Sequence, residues 1–216
     1  MNLRKEFPLL LIVALPFIYL SYIYPSLAET VPLHWNAQGE IDDWGPKSTL
    51  WLIPFILPFL IYIFMSVIPV IDPKGKIKQM GTKFYQLKFI LIVCMSALAL
   101  YIIYAVQTQS IGSLKGIFLL IGALIAALGN YMPSLKPNYF LGIRTPWTLE
   151  SEVVWNKTHR LTGKIWLVGG LVIMVLALLV AQEHLLAVLL IITAIITIIP
   201  LIYSYVLFKS EEKTRV

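Results

Sequence analysis

The chain has 216 residues, of which 59% are hydrophobic and only 13% charged, with a mean hydropathy of +0.83. Soluble domains run near one quarter charged and about half apolar, so a soluble enzyme, a nucleic-acid-binding domain and a disordered chain are all disfavoured. The net charge of +6 suits an anionic membrane surface as well as it suits a nucleic acid. Cys94 is the single cysteine, which excludes an internal disulfide and a cysteine-based zinc site. This is the composition of an integral membrane protein.

Six apolar runs are long enough to cross about 30 Å of hydrocarbon: Phe7–Tyr24, Leu50–Ile71, Phe89–Val106, Gly116–Met132, Ile165–Ala181 and Leu185–Phe208. None contains Asp, Glu, Lys, Arg or His, and the absence of strand-type alternation excludes an outer-membrane barrel. The predicted fold is all-α, with six transmembrane helices. Charge sets the orientation. Arg4 and Lys5 precede the first run, and Lys74, Lys76, Lys78, Lys83 and Lys88 separate the second from the third. Lys136, Arg144, Lys157, Arg160 and Lys164 separate the fourth from the fifth, and Lys209, Lys213 and Arg215 follow the sixth. Lys47 and Lys115 alone fall on the other side, so both termini are expected in the cytoplasm. Three units are expected: 1–72, two spans with a structured external loop; 73–115, a basic cytoplasmic loop and the third span; and 116–216, the remaining spans with a long cytoplasmic loop.

In chain order, the first run ends near Ser26-Leu27-Ala28, which resembles a signal-peptidase site. The run exceeds the core of a signal peptide, and an uncleaved helix is expected. Residues 25–49 form an external loop. Leu33-His34-Trp35 and Glu40-Ile41-Asp42 read as two extended arms around Asn36-Ala37-Gln38-Gly39, a turn ending in glycine. Trp35 and Trp44 are expected near the headgroups, and Gly45-Pro46 breaks the chain before span two. His34 and Asp42, with Glu40 and Asp43, are weak candidates for a metal, because imidazole and carboxylates suit zinc but the spacing matches no zinc motif. A plain hydrogen-bonded hairpin and a surface for an external ligand are the other readings. Bends are expected at Pro16, Pro54, Pro58 and Pro200. Gly122, Ala126 and Asn130 make a small-residue stripe that admits a neighbouring helix. No internal repeat or low-complexity tract is present.

The loop at 129–164 is the densest in information. Pro133, Pro137, Gly142 and Pro146 forbid a continuous helix up to Thr145. Thr148 to Arg160 is expected to form a short helix at the membrane surface, capped by Thr148 and led by Glu150 and Glu152. Trp155 and His159 share one of its faces, Gly163 is the expected junction with span five, and Trp147, Trp155 and Trp166 are the expected anchors. Asn130, Asn138, Asn156 and His159 among tryptophans imply a folded vestibule, because buried amides need partners. A plain interfacial loop-helix obeying the positive-inside rule is the simpler reading. His159 with Glu150 and Glu152 has the elements of acid–base chemistry, but neither GxSxG nor HExxH is present.

Asn130-x-Met132, Lys136-Pro137-Asn138, Gly142-Ile143-Arg144-Thr145-Pro146-Trp147-Thr148-Leu149, Trp155 and Thr158-His159-Arg160-x-x-Gly163 resemble the signature of the SdpI immunity-protein family. Upstream, Pro32-x-His34-Trp35-Asn36-x-x-Gly39-x-x-Asp42-x-x-Gly45 resembles the domain of unknown function that often precedes it. The resemblance implies a multi-pass protein of the bacterial plasma membrane. Family members protect the cell against a secreted hydrophobic peptide toxin, the sporulation-delaying killing factor. They also serve as receptors that hold an ArsR-type repressor at the membrane.

The resemblance and the loop chemistry give these expectations. His34, Trp35, Asn36, Gly39, Asp42 and Trp44 would meet the toxin. The second group, facing the cytoplasmic partner, would be Asn130, Lys136, Asn138, Gly142, Arg144, Thr145, Pro146, Trp147, Trp155, Thr158, His159 and Arg160. Pro54 and Pro58 would serve as hinges between the two. Its partners are the toxin, the repressor and the bilayer, without direct nucleic-acid contact, and neither catalysis nor a cofactor is expected. A flippase or transporter of a hydrophobic peptide or lipid is the first rival. A membrane-embedded, metal-dependent hydrolase using His34 with Asp42, or His159 with nearby carboxylates, is the second.

Overall fold

A computed structural model describes residues 3–112 and 114–214; Arg215 of the basic tail lies outside them. Among the described residues, six helical stretches are long and apolar enough to cross a membrane, and the protein is an all-α multi-pass membrane protein. Helix α1 (Leu3–Ile23) leads to an antiparallel hairpin, β1 (Thr30–Trp35) and β2 (Ile41–Pro46). The second span is α2 (Leu52–Pro54), a π-turn at Phe55–Phe59 and α3 (Leu60–Ile71). Pro54 immediately precedes that π-turn and Pro58 lies inside it, and each removes a backbone donor that a regular helix needs. Helices α4 (Thr82–Gln107) and α5 (Lys115–Tyr131) follow, then the short α6 (Pro146–Glu150), α7 (Glu152–Leu179) and α8 (Leu185–Thr214).

The tightest helix pair is α5 with α7. Gly122, Ala126 and Gly129 face Gly170 and Gly163 so closely that a Cβ on Gly129 would lie 2.4 Å from the Leu167 backbone nitrogen. Small residues let two backbones meet at this distance, and dispersion along the whole contact replaces the hydrophobic drive that lipid cannot supply. The stripe ends at Gly129, not at Asn130, which is exposed.

The expected surface helix at 148–160 is not present as a separate element. Thr145, not Thr148, caps α6, and Ser151 caps a new helix that runs unbroken from Glu152 through span five. Gly163 is therefore inside α7, pressed against Gly129 and Pro133, and is no junction. Trp155 is fully buried and so is no surface anchor, and Trp166 donates its indole N–H to the Ile196 carbonyl of α8.

Span boundaries also differ from the apolar runs. Helices α1 and α4 continue past the run ends through Glu6 and Lys88, which pair at 2.8 Å. Lys88 also donates to Ser66 and sits over the Tyr62 ring, tying α1, α3 and α4 together. Reading spans by apolarity stops one residue short of each partner, which is why the sequence shows no ionic group inside the bundle.

Candidate functional site

Two clusters stand at opposite ends of the bundle. At one end, Asn36 builds the hairpin turn: its side-chain oxygen accepts from the Gln38 and Glu40 amides, and its own N–H reaches the Glu40 carbonyl. Gly39 takes φ +85°, a left-handed conformation that suits glycine. His34 Nδ1 lies 2.6 Å from Asp42 Oδ1 across the strands, with both side chains exposed, and the register shifts on either side of His34. The two groups form a cross-strand pair on the hairpin surface. Among the described residues, no group of three or more His, Cys, Asp or Glu side chains is gathered as a metal would require.

The two tryptophans of the hairpin behave differently. Trp44 is exposed. Trp35 turns inward and packs against two clusters, one containing Leu20, Val31 and Ile103, the other Ile111, Phe118 and Leu185. Its indole nitrogen is buried without an acceptor among the described residues. Gln182, between α7 and α8, locks the hairpin down: its amide donates to the Gln38 carbonyl and its oxygen accepts from the Leu114 amide. The sequence reading missed Gln182, since a lone amide between two apolar runs belongs to no motif. The glycine at 39 was its signal, because a Cβ there would fall 2.8 Å from Gln182 Nε2.

At the other end, the 132–151 loop closes over the first turns of α7. Asn138 is wholly buried and makes four hydrogen bonds, donating to Lys136 and Leu141 carbonyls and accepting from the Phe140 and Leu141 amides. Trp155 donates to the Leu135 carbonyl and stacks on His159 at 4.0 Å. His159 donates from Nδ1 to the Trp155 carbonyl and accepts at Nε2 from the Ile143 amide at 3.0 Å. A ring that donates at one nitrogen and accepts at the other is neutral. Gly142 makes room for it, since a Cβ there would lie 2.3 Å from Nε2. His159 is thus committed to backbone groups and is not poised beside Glu150 or Glu152, which are exposed.

Thr145 and Thr148 form a reciprocal capping box, and Thr148 also donates to Ile143. Trp147 donates to Ser204 and Ser151 to Glu211, fastening the loop to α8. The second basic loop joins in: Lys136 reaches Gln79, and Lys74 lies over the Tyr139 ring. Of the inner residues singled out in sequence, Asn138, Thr145, Thr148, Trp155, Thr158 and His159 are buried, while Asn130, Lys136, Arg144, Pro146 and Arg160 are exposed. Arg144 donates to the Tyr139 carbonyl along the loop.

This folded knot coincides with a known family. Residues 134–204 match the SdpI/YfhL protein family. Over that stretch the chain is similar to the SdpI/YfhL family. Residues 11–57, which contain the hairpin, match a domain of unknown function, DUF1648. The chain is also similar to the Immunity protein SdpI of Bacillus subtilis (strain 168), with 27% identity over 214 residues, 99% of this chain and 100% of that protein. No solved structure matches it. With its six membrane-crossing helices, the chain is a multi-pass protein of the bacterial plasma membrane.

Proposed function

We propose that this protein confers immunity to a secreted hydrophobic peptide toxin, with the hairpin as its external sensor and the 132–151 knot as its cytoplasmic face. The full-length similarity to an immunity protein carries the reading, since it spans hairpin and knot together. Helix α7 supplies the connection. From the Trp155–His159 stack to its end at Leu179 it extends about 36 Å at 1.5 Å per residue, and the Gln182 clasp on the hairpin follows three residues later. A change at one end is thereby a change in the packing of the other.

A ligand shifts such an equilibrium only by binding one arrangement more tightly. Trp35 offers a source for that difference. Its unpartnered indole N–H costs about 1–3 kcal/mol while buried, and a toxin carbonyl reaching it once the hairpin lifts would recover the bond. Exposed Trp44 gives the apolar peptide a first contact at the headgroups. Inside, the repressor of an ArsR type would meet Lys136, Tyr139, Arg144 and Pro146, because these are exposed while the buried members of the signature lie beneath the knot. This reading uses no catalytic step.

The test is expression in a toxin-sensitive host. Raised tolerance to the apolar peptide supports the proposal, and gradient-driven uptake of that peptide into vesicles, without protection of cells, would replace immunity with transport.

A further inference from the structure

Beyond immunity, the outer faces of α7 and α8 carry a basic pocket joined to an apolar groove. Lys157, Arg160 and Lys164 recur at helical spacing on one face of α7 and, with Tyr203 of α8, line the pocket. Lys164 is shared with a groove of about 390 Å³ whose walls include Val168, Val172, Ile192 and Ile195. A third depression continues the track along α7 to Leu176, about 18 Å from Lys164 at 1.5 Å per residue. That is about the reach of one acyl chain.

The groove is built into the helix pair. Its floor is Gly169, where a Cβ would lie 2.7 Å from Ile196 Cγ2, and the Trp166 bond to Ile196 fixes the crossing beside it. None of the three cations has a carboxylate partner among the described residues. The two acids of α8 are engaged elsewhere, Glu211 with Ser151 and Glu212 with Lys209. Three unpaired cations above an apolar slot are complementary to one molecule that is both anionic and long-chained. Basic pockets between spans on the cytoplasmic side bind acidic headgroups in this way.

We propose that this face binds one anionic phospholipid, its phosphate held by Lys157, Arg160 and Lys164 and one acyl chain lying over Gly169. The full chain, purified in detergent, would be titrated with phosphatidylglycerol and with phosphatidylcholine of identical chains, and bound lipid counted by native mass spectrometry. Phosphatidylglycerol should bind at least about tenfold more tightly, a preference that needs less than the attraction of two cations. Each of Lys157→Gln, Arg160→Gln and Lys164→Gln should weaken it about fivefold, while Lys74→Gln with Lys76→Gln and Lys78→Gln leaves it unchanged. Val172→Trp, which fills the slot from an exposed position, should weaken both lipids. Equal affinity for the two lipids, an equal loss in the Lys74 set, or full competition by glycerol phosphate without chains would each overturn the proposal. The substituted side chains are exposed except for the half-buried Lys76, and unchanged melting of the purified protein confirms that the variants fold.

Discussion

Replacing His159 by phenylalanine separates a fastener from a catalyst. Phenylalanine keeps a flat ring on Trp155, somewhat larger than imidazole, but it has no lone pair for the Ile143 amide. The donor to the Trp155 carbonyl is lost as well, though that carbonyl lies inside α7, where helix geometry supplies it with another donor. The cost is therefore dominated by one stranded N–H, about 1–3 kcal/mol. His159→Ala removes the stack and opens a hole too, and truncation of a buried ring costs about 3–5 kcal/mol. At about 2–4 °C per kcal/mol for a chain of this size, thermal unfolding in detergent should fall by several degrees for His159→Phe and by roughly twice that or more for His159→Ala. Protection at permissive temperature should survive His159→Phe. If both variants melt with the wild type yet lose protection, His159 does chemistry and the fastener assignment is wrong.

Other substitutions address the remaining contacts. Gln182→Leu removes one hydrogen bond to the hairpin, at the Gln38 carbonyl, and one from the Leu114 amide ahead of α5, worth about 0.5–1.5 kcal/mol each; faster amide exchange across 36–40 and lower toxin tolerance should follow, with protein abundance unchanged. Lys88→Met should destabilise by about 3–5 kcal/mol, because it strands Glu6, and pairing it with Glu6→Gln should recover most of the loss in the same melting assay. Arg144→Ala should leave melting nearly unchanged but reduce membrane recruitment of the repressor, scored by fractionation, whereas Trp155→Ala should lower abundance and thereby both functions.

The sequence carried the six spans and the hairpin because both are written in local pattern: long apolar runs, and Asn36 to Gly39 between two short arms. The interior of the inner loop was harder to see. Trp155 and His159 one turn apart read as a surface face, since nothing in α7 itself says that the 133–146 loop folds over them. Of the three amides expected to need buried partners, only Asn138 is buried, with four bonds, while Asn130 and Asn156 are exposed. Boundaries drawn by apolarity failed where a charge is buried by a distant partner, as with Glu6 and Lys88. They failed again where a polar stretch continues a helix, as from Glu152 to Lys164. Gln182 acquires its role from residues on two other loops, which no local window contains.

The account rests on the hairpin and the knot lying on opposite sides of the membrane, the hairpin outward. Single cysteines at Gln38 and Asn156, both exposed positions, placed in a Cys94→Ser background test this directly with an impermeant maleimide on whole cells. The account predicts labelling at position 38 and protection at 156 until the cells are opened. Labelling at 156 with position 38 protected would reverse sensor and effector and contradict it.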